Sequence, residues 1–326
     1  MTEESGAATA IGVLAYPGSQ ACAVHGLSDL FAVANGIAEE SGASSGPAFS
    51  VSHWAVSGDG GDVVMTDGPG EGGHQQLGAL IAPPCLGEQG PEAFAPPVLA
   101  WIQRQHGGGA VICSICAGAF LLGEAGLLNG RAATTHWALA EQFADRFKGV
   151  RLETDKLIVD DGDIITAGGV MAWVDLGLRL VDRFVGPTVM LDVARFFLVD
   201  PSGREQRFYS AFAPSLGHGD EPILAVQHWL QTNSESAVTI ASMSSVAGLS
   251  ERTFLRRFQK ATGLKPTAYV QSLRVGRARE LLEQSSLPFN QIAWKVGYED
   301  PAAFSKVFQR IMGLAPGEYR RRFSVG

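Results

Sequence analysis

IASMSSVAGLSERTFLRRFQKATGLKPTAYV (Ile240–Val270) returns in altered form as IAWKVGYEDPAAFSKVFQRIMGLAPGEYR (Ile292–Arg320). Each copy starts on Ile-Ala and runs through a short helical segment to a glycine, Gly248 or Gly297. A second apolar pattern follows, with Phe254, Phe258 and Ala261 in one copy and Phe304, Phe308 and Ile311 in the other. Spacing of i, i+4, i+7 puts each trio on one buried helix face. Arg252 and Arg256 share a different face of the first of these helices. Ser250 is placed to cap it, and Asp300 caps its counterpart, with Pro301 at the first helical position. Each copy closes on G-L-x-P and a tyrosine, Gly263 to Tyr269 and Gly313 to Tyr319. A helix, a glycine turn and a second helix carrying basic side chains make a helix-turn-helix. Here the unit occurs twice, joined by a basic helix around Leu273–Leu282.

The segments LSERTFLRRF, ARELL, IAWKVGYEDPAAFSKVF and the terminal G-L-A-P-x-x-Y-R resemble the DNA-binding domain of the AraC/XylS family of transcription regulators. The resemblance covers nearly all of the last hundred or so residues. It implies two recognition helices set in adjacent major grooves on one face of a DNA operator. By resemblance the base-facing positions are Arg252, Leu255 and Arg256 in the first helix, and Ala302, Ala303 and Lys306 in the second. An arginine grips guanine O6 and N7 in a bidentate pair, whereas alanine offers only apolar contact, for instance to a thymine methyl. The first unit is therefore expected to read more sequence, and the second to position the protein through Lys306 and backbone contacts. Arg257, Lys260, Lys265 and Arg310 are expected on phosphates or in solvent.

The whole chain carries a net charge of −8, which taken alone disfavours nucleic acid. Residues 222–326 hold 14 Lys and Arg against 7 Asp and Glu, a net of +7, and the remainder holds 11 against 26, a net of −15. A basic domain is thus attached to an acidic one, and the basic excess is the footprint of a phosphate-binding surface. With 46% hydrophobic and 18% charged residues, the 326-residue chain has the composition of a globular protein of two domains. No apolar run reaches the roughly 18 residues of a membrane span. The acidic start MTEESGAATA is unlike a signal peptide. These features predict a soluble cytoplasmic protein. Cys22, Cys85, Cys113 and Cys116 suggest no disulfide framework. Cys113 and Cys116 form a C-x-x-C that no second pair or histidine spacing completes into a zinc site, so neither metal nor cofactor is expected.

Ahead of the repeat, strands and helices alternate. Strands are predicted at Ile11–Tyr16, Phe49–Val56, Leu77–Ala82, Ala110–Ser114, Lys156–Asp160 and Asp163–Ala167, the last two across an Asp161-Gly162 hairpin. Helices are predicted at Gly26–Ala38, Pro97–Gln105, from Ala117 through Leu122, and at Thr134–Phe147, Gly169–Phe184 and Pro187–Leu198. This is an α/β layered domain with a mainly parallel sheet. The expected organisation is an α/β/α domain over residues 1–200, a linker over 201–221 with Phe208 and Tyr209 free to dock, and an all-α domain over 222–326.

Cys116 ends a buried strand and is followed by Ala117, Gly118 and Ala119 at a helix start. Such a turn exposes a side chain to the free N–H groups and partial positive charge of a helix N-terminus. Both favour a thiolate of lowered pKa. Here the sequence is similar to the DJ-1/PfpI family, and among it to the GlxA-type members fused to an AraC-type tail. The matching pieces are Tyr16-Pro17-Gly18, Asp29-Leu30-Phe31, Ile115 to Ala119, Leu127 to Arg131, Thr135-His136-Trp137 and Thr166 to Gly169.

The resemblance puts Cys116 at the nucleophile position and His136 at a histidine that follows it. The acid position of the family enzymes falls on Ala23, and Ala117 follows Cys116 where a PfpI-type pair needs histidine. A working constellation that loses a member loses orders of magnitude in rate, so Cys116 reads as a vestigial nucleophile. It also reads as a packed structural cysteine, as a thiol redox sensor, or as one wall of a metabolite crevice at the strand ends. Candidate lining residues of that crevice are His25, Pro83, Cys85, Cys116, Ala117, His136 and Gly169, with His136 equally readable as a packed or capping residue. The expected function is a DNA-binding transcription regulator controlled by a small-molecule effector and dimeric through its first domain. It would contact RNA polymerase if it activates. The alternative is a DJ-1/PfpI-type enzyme or a redox sensor acting through Cys116.

Overall fold

A computed structural model of the protein describes residues 7–57, 62–69, 76–86, 96–201 and 204–324, and the acidic start at residues 1–6 lies outside them. The chain forms two compact units that divide between Gln206 and Arg207.

The first unit runs β1 (Thr9–Ala15), α1 (Ala21–Glu40), β2 (Phe49–Val56), β3 (Val63–Asp67), β4 (Ala79–Ala82), α2 (Pro96–Gly107) and β5 (Val111–Ile115). It continues with α3 (Ala119–Glu124), β6 (Ala132–Ala133), α4 (Ala140–Arg146), β7 (Arg151–Leu152), β8 (Ile158–Asp160), β9 (Ile164–Ala167), α5 (Trp173–Phe184) and α6 (Pro187–Phe196). Seven strands form one sheet in the order β3-β2-β1-β4-β5-β9-β8. β2, β1, β4, β5 and β9 are mutually parallel, and β3 and β8 close the two edges antiparallel. Side chains alternate between the faces, as the strand period demands. Ile11, Val13, Cys113 and Ile165 pack with Leu27, Phe31, Leu180 and Val193 of α1, α5 and α6. Leu14, Leu80, Ile112 and Ile164 pack with Trp101 and Phe120 of α2 and α3. The result is the α/β/α layering that the alternating pattern predicts.

Several elements differ from the sequence reading. β3, β6 and β7 were not expected, because β3 is an edge strand with little buried surface and β6 and β7 are two residues each. Thr134–Phe147 is not one helix: Thr134 and Thr135 are buried and lie outside any helix or strand, a 3-10 turn spans Trp137–Leu139, and α4 begins only at Ala140. α1 starts five residues before the predicted Gly26 and spans 20 residues. It is long and apolar enough, by length and composition, to cross a membrane, contrary to the expectation that no run reaches that length. In this fold Leu27, Leu30, Phe31 and Ala34 bury one face of α1 in the core, while Asp29, Glu39 and Glu40 are exposed on the other. That is the amphipathic pattern of a layer helix.

The second unit opens with a short 3-10 turn at Gln206–Phe208, shared with the end of the first. It continues with α7 (Glu221–Asn233), α8 (Ile240–Val246), α9 (Glu251–Thr262), α10 (Pro266–Gln284), α11 (Phe289–Lys295), α12 (Pro301–Met312) and α13 (Pro316–Phe323). It holds two cores. One gathers Ile223, Leu230, Met243, Phe254, Phe258 and Tyr269. The other gathers Phe208, Val275, Ile292, Phe304, Phe308 and Tyr319. α10 serves both, giving Tyr269 and Val270 to the first and Val275, Ala278 and Leu282 to the second. The stretch read as a linker is anchored at both ends of its turn. Gln206 is buried in the first unit, and Phe208 in the second core of the second unit.

Candidate nucleic-acid interface and cysteine crevice

The two halves of the second unit repeat each other residue by residue. Ser250 and Asp300 cap α9 and α12 through their side chains, accepting from Thr253 N–H and Ala302 N–H. Gly263 and Gly313 end the same helices in the left-handed conformation, at φ 72° and 76°, where glycine carries no steric penalty. Phe254 and Phe258 are fully buried in one half, as are Phe304 and Phe308 in the other. The closing tyrosines stand edge-on to the second phenylalanine of each pair, Tyr269 to Phe258 and Tyr319 to Phe308, at centroid distances of 5.2 and 5.6 Å. Tyr269 Oη accepts from Gln227 Nε2, and Tyr319 Oη donates to Glu283 Oε1 at 2.6 Å.

The start of each repeat is not where the Ile-Ala pairs put it. Buried residues of α8 are Met243 and Ser244, and those of α11 are Ile292 and Ala293. Each pair lies five and four residues before its turn glycine, Gly248 or Gly297. Met243-Ser244 is therefore the counterpart of Ile292-Ala293, and Ile240-Ala241 belongs to the capping turn of α8, where Thr239 and Ser242 form a capping box.

On the outer face of α9, Arg252, Leu255 and Arg256 are exposed, and Ala302, Ala303 and Lys306 are exposed on α12. Two of the remaining cations are already engaged. Arg257 grips Asp220, the N-cap residue of α7, through Nε and Nη2 at 2.9 and 2.7 Å. The same contact holds the Asp220 carboxyl below its ordinary pKa. Arg310 donates to Gln271 Oε1 at 2.7 Å. Both cations, expected on phosphates or in solvent, make these contacts within the unit in the DNA-free chain. Sequence reading missed them because Asp220 and Gln271 lie 37 and 39 residues away.

In the first unit, β1 pairs with β2 on one side and β4 on the other. The chain reverses its direction of growth there, and a crevice opens at the carboxyl ends of such strands. β4 runs into Pro83, Pro84 and Cys85, and β5 into Cys116. Tyr16 Oη donates to Pro83 O. Cys116 has φ 55°, a left-handed conformation for a residue with a side chain, which costs about 1–3 kcal/mol and is held by its surroundings. Gly118 is required behind it, because any Cβ there would overlap Ala82 O. Cys116 is 4% exposed. Burial pushes its thiol up to about 11, with the Ala117 N–H opposing and Cys85 adding to the rise. The expectation of a lowered pKa is therefore corrected. The helix that follows the short Cys116–Gly118 turn has six residues, and its dipole does not offset the desolvation of a buried thiolate. Cys113 is wholly buried.

Of the other candidates, Pro83 and Ala117 are buried and Cys85 half-buried, and Cys85 lies close enough to raise the pKa values of both Cys116 and Tyr16. His136 is half-buried and caps the 3-10 turn, its Nδ1 accepting from Ala138 N–H at 3.2 Å; desolvation lowers its pKa. His25 is exposed on α1 and stands edge-on to His53, with ring centroids 5.7 Å apart. Gly169 lies by Leu157 and Ala172. Ala23 is fully buried in α1. A cavity of about 560 Å³ opens at the other edge of the sheet, between β8, α5 and α6, lined by Leu157, Ile158, Leu178, Met190, Arg179 and Arg204 among others. The described residues contain no group of three or more His, Cys, Asp or Glu able to hold a metal ion.

Two residues outside the candidate list, Thr135 and Gln206, tie the crevice to the end of the unit. Thr135 Oγ1 donates to Cys116 O at 2.8 Å. Gln206 Nε2 donates to Thr135 O, Thr134 Oγ1 and Lys156 O at 2.9 to 3.0 Å, and its Oε1 accepts from Trp137 N–H. Gly168 must be glycine, since a Cβ would overlap this carboxamide. The Thr135-His136-Trp137 and Thr166 to Gly169 segments together form the socket of Gln206.

Known proteins share both units. A helix-turn-helix domain model matches residues 243–322, and the DJ-1/PfpI family model matches residues 74–183. The chain is 27% identical over 275 residues to the HTH-type transcriptional regulator CdhR of Pseudomonas aeruginosa, covering 82% of this chain and 81% of that one. It is 30% identical over 218 residues to the HTH-type transcriptional regulator GlxA of Rhizobium meliloti, covering 66% of each. Among solved structures, Drosophila melanogaster DJ-1beta aligns with 60% of this chain and all of its own at 19% identity and a TM-score of 0.46.

Proposed function

The chain belongs to the AraC-type helix-turn-helix transcription regulators that carry a DJ-1/PfpI domain ahead of the DNA-binding domain, and we propose that α9 and α12 are its recognition helices and that a small molecule bound by the first unit controls them. The observation that carries this is the duplicated scaffold with an exposed arginine pair on α9. Arg252 and Arg256 read bases; Leu255, Ala302 and Ala303 make apolar contacts; Lys306 contacts the phosphate backbone. Selection of the full chain against a random duplex DNA pool tests it. Enrichment of two sequence elements is expected, with more information in one of them. A pool that stays random after selection sinks the reading.

The effector site is the crevice beside Cys116, with His25, Pro83, Cys85, Ala117, His136 and Gly169 as the candidate contacts. What supports it is the placement of Cys116 at the carboxyl end of β5, next to β4 at the reversal of sheet order, and the bonds from its carbonyl through Thr135 to Gln206. Calorimetric titration of the full chain with a panel of metabolites checks this. A binding heat lost in His136→Ala supports the crevice. Heat that survives undiminished moves the site to the cavity between β8, α5 and α6. The protein acts in the cytoplasm as a homodimer through its first unit, with RNA polymerase as a further partner if it activates; sedimentation of the full chain reads the dimer.

The first unit does no chemistry in this reading. With its pKa at about 11, Cys116 holds about one thiolate in ten thousand at pH 7, and Ala23 stands where the family acid is expected. Alkylation of Cys116 by iodoacetamide is therefore slow at pH 7 and rises about tenfold per pH unit up to the pKa. Rapid alkylation at neutral pH, or turnover of methylglyoxal or an isonitrile that Cys116→Ala abolishes, revives the enzyme. The same high pKa disfavours peroxide sensing, which shows itself if peroxide alters the DNA affinity of the wild type but not of Cys116→Ser.

A further inference from the structure

The two helix-turn-helix halves have separate cores, and α10 is the element that belongs to both. A single helix shared between two cores leaves their mutual rotation to whatever contacts close the seam beside it. One side chain does so from the middle of α10. Arg274 lies where the buried positions of that helix pass from the first core, at Val270, to the second, at Val275. Its Nε donates to Ser234 O at 2.7 Å and its Nη2 to Ser236 O at 2.8 Å. Those carbonyls follow the C-terminal end of α7, in the first half, where a helix leaves acceptors unpaired and favours a cation.

The same guanidinium lies over the Tyr298 ring, 5.1 Å from its centroid. Tyr298 belongs to the turn of the second half. Its ring is in turn 4.4 Å from that of Phe304, the first buried residue of α12. Beside it, Gly297 has φ 85°, and a Cβ there would overlap Glu235 O. The turn backbone of the second half thus sits directly on the loop of the first. Each link from α7 through Arg274 and Tyr298 to α12 is a direct contact. Lysine has neither the second donor in a fixed fork nor the flat face to stack.

We propose that Arg274 fixes the position of α12 relative to the first half and thereby sets the spacing of the two DNA elements the protein accepts. This rests on reading α9 and α12 as recognition helices. Arg274 is a positioning residue: its mapped donors are turned to carbonyls and its face to Tyr298, so it acts through the geometry of the unit.

The test is selection of the full chain and of Arg274→Gln from a random duplex DNA pool, followed by affinity measurements on the selected elements at the selected spacing and with one base pair inserted. The wild type is expected to enrich two elements at one spacing and to lose about tenfold or more in affinity on insertion, since a rigid pair of readers cannot engage both elements at once. Arg274→Gln is expected to enrich the same elements at several spacings and to lose less than about threefold on insertion. A single spacing with an undiminished insertion penalty, or an equal loss of affinity on every spacing, overturns the proposal. If Arg274→Gln enriches nothing, Tyr298→Leu decides, since it removes the stack and leaves the carbonyl contacts; a broadened spacing supports the proposal and an unchanged one overturns it. A wild type that enriches no paired elements overturns the recognition-helix reading itself, and is told apart by failing before any variant is compared.

Discussion

The first and second helix-turn-helix halves share a scaffold and differ in what surrounds it. In the first, the glycines at the turn and the helix end, Gly248 and Gly263, face open space: an added Cβ would meet nothing within 4 Å at either. In the second, Gly297 abuts Glu235 O and Gly313 abuts Arg207 and Phe208. The outer faces are reversed in character, with arginines on α9 and alanines and one lysine on α12. The turn and end glycines of the second half are thus packed into the unit, while those of the first stand clear of it. The parts the two halves share, the helix caps, the end glycines and the paired phenylalanines, are those that backbone geometry and core packing require.

The sharpest way to break this contrast is at the turn glycines. Both have positive φ, so alanine costs about 1–2 kcal/mol at each from backbone strain alone. Gly297→Ala must also displace the Ser234–Ser236 loop, and is expected to destabilise at least about twice as much as Gly248→Ala. Thermal unfolding of the two variants reads the difference, and equal losses would show that the second turn is no better anchored than the first. Next in size is the reading face. Arg256→Ala is expected to remove about 1–3 kcal/mol of discrimination between selected and random DNA while nonspecific binding largely survives. Lys306→Ala is expected to weaken both DNAs alike and to reduce the salt dependence of binding. Equal loss on both DNAs from Arg256→Ala would end its base-reading role.

The smallest effect is expected at Arg257, whose contact with Asp220 has no counterpart in the second half, where Val307 stands. The Asp220 pKa is lowered in the folded state, first by its hydrogen bond to Arg257. The carboxylate therefore contributes stability above its unfolded pKa and loses it as pH falls through the folded value. Arg257→Ala should lower the melting temperature slightly at neutral pH, and that difference should vanish once Asp220 is protonated in both states. A difference that persists in strong acid would assign the loss to packing.

Much of the second unit was legible in the sequence because its signals are local. Phe254 and Phe258, and Phe304 and Phe308, announce a helix face by spacing alone. Ser250, Asp300, Gly263 and Gly313 mark helix ends through groups within a few residues. The layered first unit was legible for the same reason, since its central strands are short apolar runs bounded by turns. The matching of Ile240 to Ile292 went astray because it followed residue identity: Ile240 lies eight residues before Gly248 and Ile292 five before Gly297, and Ile240 sits in the first turn of α8 behind the Thr239–Ser242 capping box. The helix expected over Thr134–Phe147 failed at its start, where Thr134 N–H is bonded to Thr166 Oγ1 and Thr135 Oγ1 to Cys116 O.

What the sequence by itself determined, then, is the duplicated helix-turn-helix, the layered α/β unit ahead of it and the basic face on α9. Each follows from periodicity, capping and charge along the chain. What only the tertiary structure decided is the state of Cys116, the engagement of Arg257, the socket of Gln206 and the place of Arg274 between two cores. Burial, a distant carboxylate, a glycine 38 residues away at Gly168 and carbonyls beyond α7 set these. A pKa or a hydrogen bond depends on what surrounds a side chain in space, and for these four residues the surroundings come from parts of the chain that local sequence does not connect.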